Sequence, residues 1–226
     1  MFGRFFKDLF SPILSDRAIQ KYIERGMLVR TPIQPYQLQP NSVDLTLGGS
    51  YRIPQPNHKT KEGRAIIDPR QPPRFSGGNI LREPGEKPQH LVNCYIIEPG
   101  DFVLMTTEEY LFIPEGIMGF IAGRSSIARL SIHIESGGLC DSGFQGTVSL
   151  QITNLSAYPV VLYPDMRIVQ VWFIKSQYAK TPYSIVRGSK YNTQVGATES
   201  RIHLDQEFNQ EKTNNSMGKL PMLLFP

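Results

Sequence analysis

The chain is predicted to be all-β: a sandwich, jelly roll or barrel of short strands, with one short helix ahead of it and an extended tail behind. Three observations carry this prediction. Apolar and polar residues alternate in short runs, as in Thr147-Val148-Ser149-Leu150-Gln151-Ile152, the pattern of a strand with one face buried. Turn signals such as Ser156-Ala157-Tyr158-Pro159 and Tyr163-Pro164-Asp165 fall between such runs at regular spacing. The 18 prolines and 19 glycines among 226 residues favour many turns over long helices.

The elements follow in order. Ser15 is a helix cap with Asp16 in the favourable first turn, Ala18, Ile19, Tyr22 and Ile23 form an apolar stripe at helical spacing, and Gly26 ends the helix. Pro32, Pro35 and Pro40 interrupt the next segment. Val43, Leu45 and Leu47 then alternate with polar neighbours in a strand that stops at Gly48-Gly49. From about 54 to 90 the chain is rich in proline and charge and poor in apolar residues. Such a stretch cannot build its own core, so a long excursion is expected, with one short strand at Ala65–Ile67. Strands are expected at Leu91–Ile97, Phe102–Thr106, Glu109–Ile113, Ile117–Ala122, Ile132–Ile134, Thr147–Thr153, Val160–Tyr163 and Ile168–Ile174. After Lys175 the sequence turns polar, and Tyr178, Tyr183, Lys190, Tyr191 and Gln194 stand out in a flexible segment. The economical organisation is one domain over 1–205, with an N-terminal arm and helix in 1–27 and a C-terminal extension over 206–226.

A formal charge of +4 suits a small anionic ligand, and the lack of any long basic run gives no reason to expect nucleic acid. Two cysteines, Cys94 and Cys140, imply no disulfide scaffold and a cytoplasmic setting. No apolar run reaches membrane-spanning length. Met1 to Phe10 carries four phenylalanines but lacks the cleavage region of a signal peptide, so an amphipathic arm against the body or a neighbouring subunit is expected. The apolar tip Leu220-Pro221-Met222-Leu223-Leu224-Phe225 suggests docking within an oligomer or on a partner.

The chemistry concentrates in Gly123-Arg124-Ser125-Ser126-Ile127-Ala128-Arg129 and in Gly138-Leu139-Cys140-Asp141-Ser142-Gly143-Phe144-Gln145-Gly146. Arginine forks and serine hydroxyls are what a site needs to hold phosphate oxygens. A carboxylate close by is costly unless it handles a water or a metal. A plain charged surface loop is the competing reading. His133-Ile134-Glu135 echoes the metal ligand and acid of zinc deaminases, but the Pro-Cys-x-x-Cys that must follow is missing, so His133 reads as a surface or interface residue. Cys140 reads as filling a small apolar space, and Trp172 as a core or subunit contact. Asp44 has two readings, orienting an arginine or metal-bound water, or making a structural bond at a strand end. Asp165 and Arg167 read as turn and interface groups.

These pieces, in this order and spacing, resemble the dCTP deaminase and dUTPase superfamily, and within it the dCTP deaminases and bifunctional dCTP deaminase–dUTPases. The resemblance runs from Leu14-Ser15-Asp16 through Asn41-Ser42-Val43-Asp44-Leu45-Thr46-Leu47-Gly48, both motifs above, Asn154 and Pro164-Asp165-Met166-Arg167-Ile168. It continues through Ser189-Lys190-Tyr191 with Gln194 to Arg201-Ile202-His203-Leu204-Asp205. It implies a distorted jelly-roll of the dUTPase-like type, a homotrimer with sites between subunits, and a deoxynucleoside triphosphate carrying Mg²⁺ on its phosphates and water rather than on protein ligands. By the same resemblance Arg124, Ser125, Ser126 and Arg129 hold phosphates, with Arg129 also catalytic. Gly138, Leu139 and Phe144 line the base and sugar pocket, where Phe144 packs on the deoxyribose. Tyr183, Lys190 and Gln194 come from a tail that closes over the nucleotide.

One departure bears on the reaction. Deaminating members carry a glutamate ten residues after the aspartate, to shuttle protons as water adds to C4 of cytosine; this chain has Gln151. An amide does not titrate, and losing such a group costs about 10²–10⁴-fold. Asp141 is retained, and the matching aspartate of dUTPases activates the water that attacks the α-phosphorus. The segment from Arg129 to Asp141 is also one residue shorter than in typical deaminases, with Ser136-Gly137-Gly138 in place of a threonine-alanine pair. The expected activity is therefore hydrolysis of dUTP to dUMP and pyrophosphate. Two alternatives stay open: a dCTP deaminase or bifunctional enzyme with its glutamate replaced, by nature or by design, and a non-catalytic nucleotide-binding regulator. The tail, which is of the deaminase type and lacks the glycine-rich motif of ordinary dUTPases, keeps the first alternative in view.

Overall fold

The structure, a computed structural model, describes residues 11–80, 93–184 and 186–208. Its predominant element is the short antiparallel strand. One five-stranded sheet runs in the order Leu139–Cys140, Ile117–Gly123, Arg167–Lys175, Ser42–Thr46, Leu38–Gln39. A second runs Ile132–Glu135, Ser149–Asn154, Phe102–Thr106, Ser50–Gln55, Arg74–Asn79. A three-stranded sheet joins Leu28–Val29, Leu111–Phe112 and Gln145–Gly146. Apolar residues from these sheets meet in one cluster. Val43, Leu45, Val171 and Phe173 of the first sheet and Met105 and Ile152 of the second all lie within it. This is the all-β, jelly-roll-like architecture read from the sequence.

The chain separates into two compact units, one holding the described residues up to Ile53 and from Gly77 to Thr198, the other holding Pro54–Ser76 and the described residues from Glu199 to Phe208. The first carries the sheets' cores and both motifs. Within the second, the excursion is more regular than expected. His58–Lys59 pairs with Ala65–Ile66 in a hairpin, and Asn57 ties the chain together by donating from its side-chain amide to the carbonyl of Asp68 (2.9 Å) and accepting from the Asp68 N–H (2.7 Å). Asp68 is held at about 2 by hydrogen bonds from the Arg70 guanidinium and N–H. Polar side chains replace the core that this stretch lacks.

The helix spans Asp16–Ile23, with the Ser15 hydroxyl accepting the N–H of Ala18 at 3.5 Å and Ile19 fully buried. The strands match their predicted positions to within a residue or two at most ends, but the strand read from Glu109–Ile113 shrinks to Leu111–Phe112 and that from Leu91–Ile97 is described from Tyr95. The strand Ser42–Thr46 departs from half-burial: all five residues are buried, Ser42, Asp44 and Thr46 included. Its polar face carries hydrogen-bonded charge. The Phe-rich segment and the apolar tip lie outside the described residues. No helix of the described residues is long and apolar enough to cross a membrane.

Candidate functional site

The serine–arginine motif sits where the strand Ile117–Gly123 ends and turns into the four-residue helix Ser125–Ala128. Ile127 points into the core and holds the turn, which leaves Ser125, Ser126 and Arg129 exposed. Arg124 is different. Its Nε lies 3.2 Å from Asp44 Oδ2 and its Nη1 donates to the carbonyl of Arg167 at 3.0 Å. Asp44 also takes Arg167 Nη1 at 3.1 Å, so one buried carboxylate is shared by two guanidinium groups. Asp44 thus orients an arginine, the first of its two readings. Arg167 is an intrachain partner, bonded also to the Tyr36 carbonyl at 3.1 Å, rather than a residue used only between subunits.

Below Asp44 lies a second buried carboxylate that sequence reasoning missed. Glu109 accepts from Gln37 Nε2 (2.7 Å), Thr46 N–H (2.8 Å) and Thr46 Oγ1 (2.8 Å). Burial pushes its carboxyl above the usual range, against the pull of those donors. The same Gln37 amide donates to the carbonyl of Asp44 at 2.9 Å, so the two acids brace one strand. Only the long-range pairing of residue 109 with residues 37 and 46 reveals this.

The aspartate motif is built around the tail. Asp141 is exposed, and the segment behind it is a docking strip for Tyr183 and for residues 192–198. Tyr183 N–H donates to Ser142 O at 2.8 Å, Thr193 N–H to Gln145 O at 2.7 Å and Thr147 N–H to Gln194 O at 3.0 Å. Gln194 Nε2 donates to Thr147 O at 2.8 Å, and Phe144 and Tyr183 pack with ring centroids 5.9 Å apart. Glycine is required twice. A Cβ on Gly143 (φ +94°) would lie 2.7 Å from Tyr183 O, and one on Gly146 (φ +141°) 2.7 Å from Gln194 O. The segment read as flexible is therefore held by a backbone ladder; its polar composition hid bonds that run to residues some forty positions away. Lys190 Nζ stands 5.9 Å from the Tyr191 ring centroid on this tail.

Gly138 and Leu139 fall between the two groups. Gly138 accepts the Ile121 N–H at 2.7 Å and Leu139 pairs with Phe120. Cys140 is buried opposite Gly119, where burial pushes its thiol up to about 12, so it is filler rather than nucleophile.

The register separates the two motifs within one protomer. Cys140 pairs with Gly119, and Ser142 Oγ donates to the Ile117 carbonyl at 2.8 Å, so Asp141 lies level with residues 117–118. Arg124 is some six residues further along the same strand, or about 20 Å. A single chain therefore presents Asp141, Phe144, Tyr183 and Gln194 at one end of this sheet and Arg124, Ser125, Ser126 and Arg129 at the other.

Gln151 lies on the second sheet. It stands directly opposite Glu135 on one side and Leu104 on the other. Leu150 and Ile152 enter the core, so Gln151 faces outward, and its Oε1 is buried without a hydrogen-bond partner. Glu135 shares that outward row. Its Oε1 accepts the N–H groups of Ser136 (2.8 Å) and Gly137 (3.0 Å). Sequence reading found Glu135 only as part of an incomplete zinc motif; the pairing with Gln151 is a product of strand register.

An all-β domain that carries a serine–arginine turn and a tail-covered aspartate turn defines a class of nucleotide enzyme fold. The chain belongs to the dCTP deaminase-like family, whose model matches residues 13–176. It is 43% identical over 204 residues to a "dCTP deaminase, dUMP-forming" of Dictyoglomus thermophilum, an alignment covering 88% of this chain and all of that one. It is 38% identical over 208 residues to a "dCTP deaminase" of Haloarcula marismortui, covering 87% of this chain and 97% of the relative. The crystal structure of 2'-deoxycytidine 5'-triphosphate deaminase from Agrobacterium tumefaciens superposes with a TM-score of 0.54 at 20% identity, over 74% of this chain and 48% of that one. That likeness is one of fold.

Proposed function

We propose that this protein forms dUMP from a pyrimidine deoxynucleoside triphosphate, in sites shared between neighbouring copies of the chain. The relatives named as dUMP-forming dCTP deaminases point to dCTP as the entering substrate, and this reading is better supported than the hydrolysis of dUTP alone that the sequence suggested. Hydrolysis of dUTP is kept as the second half of the same conversion. One observation carries the shared site: the phosphate motif and Asp141 lie about 20 Å apart along one strand, so only a neighbour can bring them together.

In this reading Ser125, Ser126 and Arg129 hold phosphate oxygens, while Arg124, fixed by Asp44, sets the charge of the turn. Arg129 also stabilises charge that develops on the α-phosphoryl oxygens. Asp141, exposed beside the tail, takes a proton from the water that attacks the α-phosphorus, and pyrophosphate leaves. Phe144 offers a ring to the deoxyribose. Tyr183, Lys190 and Gln194 cover the nucleotide. Mg²⁺ fits this arrangement as an ion brought by the triphosphate, since the residues around the phosphates are mainly donors; it supplies charge neutralisation on the phosphates. The apolar outward row of Leu139, Phe120 and Trp172, in which the two rings stack at 5.6 Å, suits contact between copies in a homotrimer.

The test is a side-by-side assay of dCTP, dUTP and dTTP, read as ammonia and pyrophosphate. Pyrophosphate from dUTP and both products from dCTP are expected. Absence of both products from every nucleotide would sink the reading. Asp141→Asn is expected to lower pyrophosphate release by about 10²–10⁴-fold while nucleotide binding, followed by calorimetry, persists; undiminished release would remove Asp141 from its role.

A further inference from the structure

We infer that Glu135 is the proton-transfer group for the base-modifying half of the reaction, in the place that Gln151 cannot fill. The inference rests on the dUMP-forming reading and goes beyond it by naming a residue that neither the motifs nor the family resemblance assigns.

Three observations point to it. First, Glu135 and Gln151 are directly opposed on adjacent antiparallel strands. Such pairs have Cβ atoms about 5 Å apart and project to the same side. Ile134 opposes Ile152 and Ile132 opposes Asn154, all turned inward, so His133, Glu135, Gln151 and Thr153 share the outward side. A carboxylate on Glu135 therefore reaches the space that a carboxylate on residue 151 would reach. Second, the Gln151 Oε1 is buried and unpartnered. A buried acceptor left unsatisfied is costly, and a ligand group or a water that meets it removes that cost. Third, Glu135 is held in place. The Ser136 and Gly137 N–H groups hold Oε1 at 2.8 and 3.0 Å, which fixes the carboxylate at the strand end through one of its two oxygens. The loop that supplies those N–H groups continues through Gly138 and Leu139 to Asp141, so the acid and the hydrolytic carboxylate belong to one short segment.

The step balances with water alone. Water oxygen bonds to C4 of cytosine, Glu135 takes a water proton, and ring N3 receives it. Glu135 then takes the remaining hydroxyl proton and delivers it to the exocyclic nitrogen; the C4–N4 bond breaks, C4=O forms, and ammonia leaves. Gln151 accepts a hydrogen bond from the exocyclic amine through Oε1 and orients it.

The experiment uses the full chain with dCTP and compares the unaltered protein, Glu135→Gln, Gln151→Glu and the Glu135→Gln/Gln151→Glu double variant, each checked by thermal melting. The unaltered protein is expected to release ammonia, with an acid limb in its pH–rate profile. Glu135→Gln is expected to lower ammonia release by about 10²–10⁴-fold, far more than pyrophosphate release from dUTP, and to lose that limb. Adding Gln151→Glu to it is expected to restore ammonia release, which a merely structural role for Glu135 would not produce. If Glu135→Gln fails to fold, Glu135→Asp takes its place, with reduced ammonia release and the acid limb kept. Equal ammonia release by the unaltered protein and Glu135→Gln overturns the inference and leaves the dUMP-forming reading standing. Pyrophosphate from dUTP with no ammonia from dCTP also overturns it, and leaves only the dUTP-hydrolysing half of the proposed function standing. Loss of both products from the unaltered protein is instead the failure of the proposed function.

Discussion

Two acids on opposite terms brace the strand Ser42–Thr46. Asp44 is surrounded by guanidinium groups, whereas Glu109 meets only neutral donors. Removing both from water is costly, and the cost is offset by saturating their lone pairs. Glu109 lies where three donors converge, so a carboxamide would turn a donor toward a donor. Glu109→Gln is therefore expected to destabilise the fold by about 1–3 kcal/mol. Its pH dependence has a definite sign. A carboxyl raised in the folded state binds its proton there more readily than in the unfolded chain, so its contribution is greatest below the unfolded value of about 4.3 and declines as pH rises through the folded value. The stability gap between the parent and Glu109→Gln is expected to narrow from about pH 4 toward neutrality in denaturant titrations; a gap that widens would contradict the assignment.

In the proposed site, the tail is the element that orders the nucleotide cover. It has little apolar surface and gains its place by backbone pairing to residues 142–147 and by two glycines that let the chains approach. Gly146→Ala forces both a φ of +141° and a contact with Gln194 O. A cost of about 1–3 kcal/mol is expected, concentrated on the tail. Limited proteolysis should then cut after Lys175 while the sheets survive, and the KM for nucleotide should rise because Lys190 and Gln194 lose their seating. An unaltered digestion pattern would show that the tail does not depend on this contact.

At the scale of the whole molecule, the proposed shared site makes a prediction, because the serine–arginine motif and Asp141 lie far apart in one chain: activity is expected to require assembly. The outward row Leu139, Phe120 and Trp172 is the apolar surface on the strands that carry both motifs. Phe120→Asp is expected to dissociate the assembly, seen by light scattering, and to abolish turnover with little change in secondary structure. An active monomer would refute a shared site.

The sequence by itself determined the all-β class, the capped helix, the places of both motifs and the family, because alternation, turn residues and motif order are local properties; strands such as Ser50–Gln55 and Arg74–Asn79, which lie in or beside the proline-rich stretch, were not legible in it. It also announced the change at residue 151. Tertiary structure alone decided that Asp44 serves two arginines, that Glu109 braces the same strand, that the polar tail is docked, and that Glu135 stands opposite Gln151. Each of these joins residues far apart in the chain, and strand register, which sets such neighbours, follows from packing of the whole core rather than from any short stretch of residues.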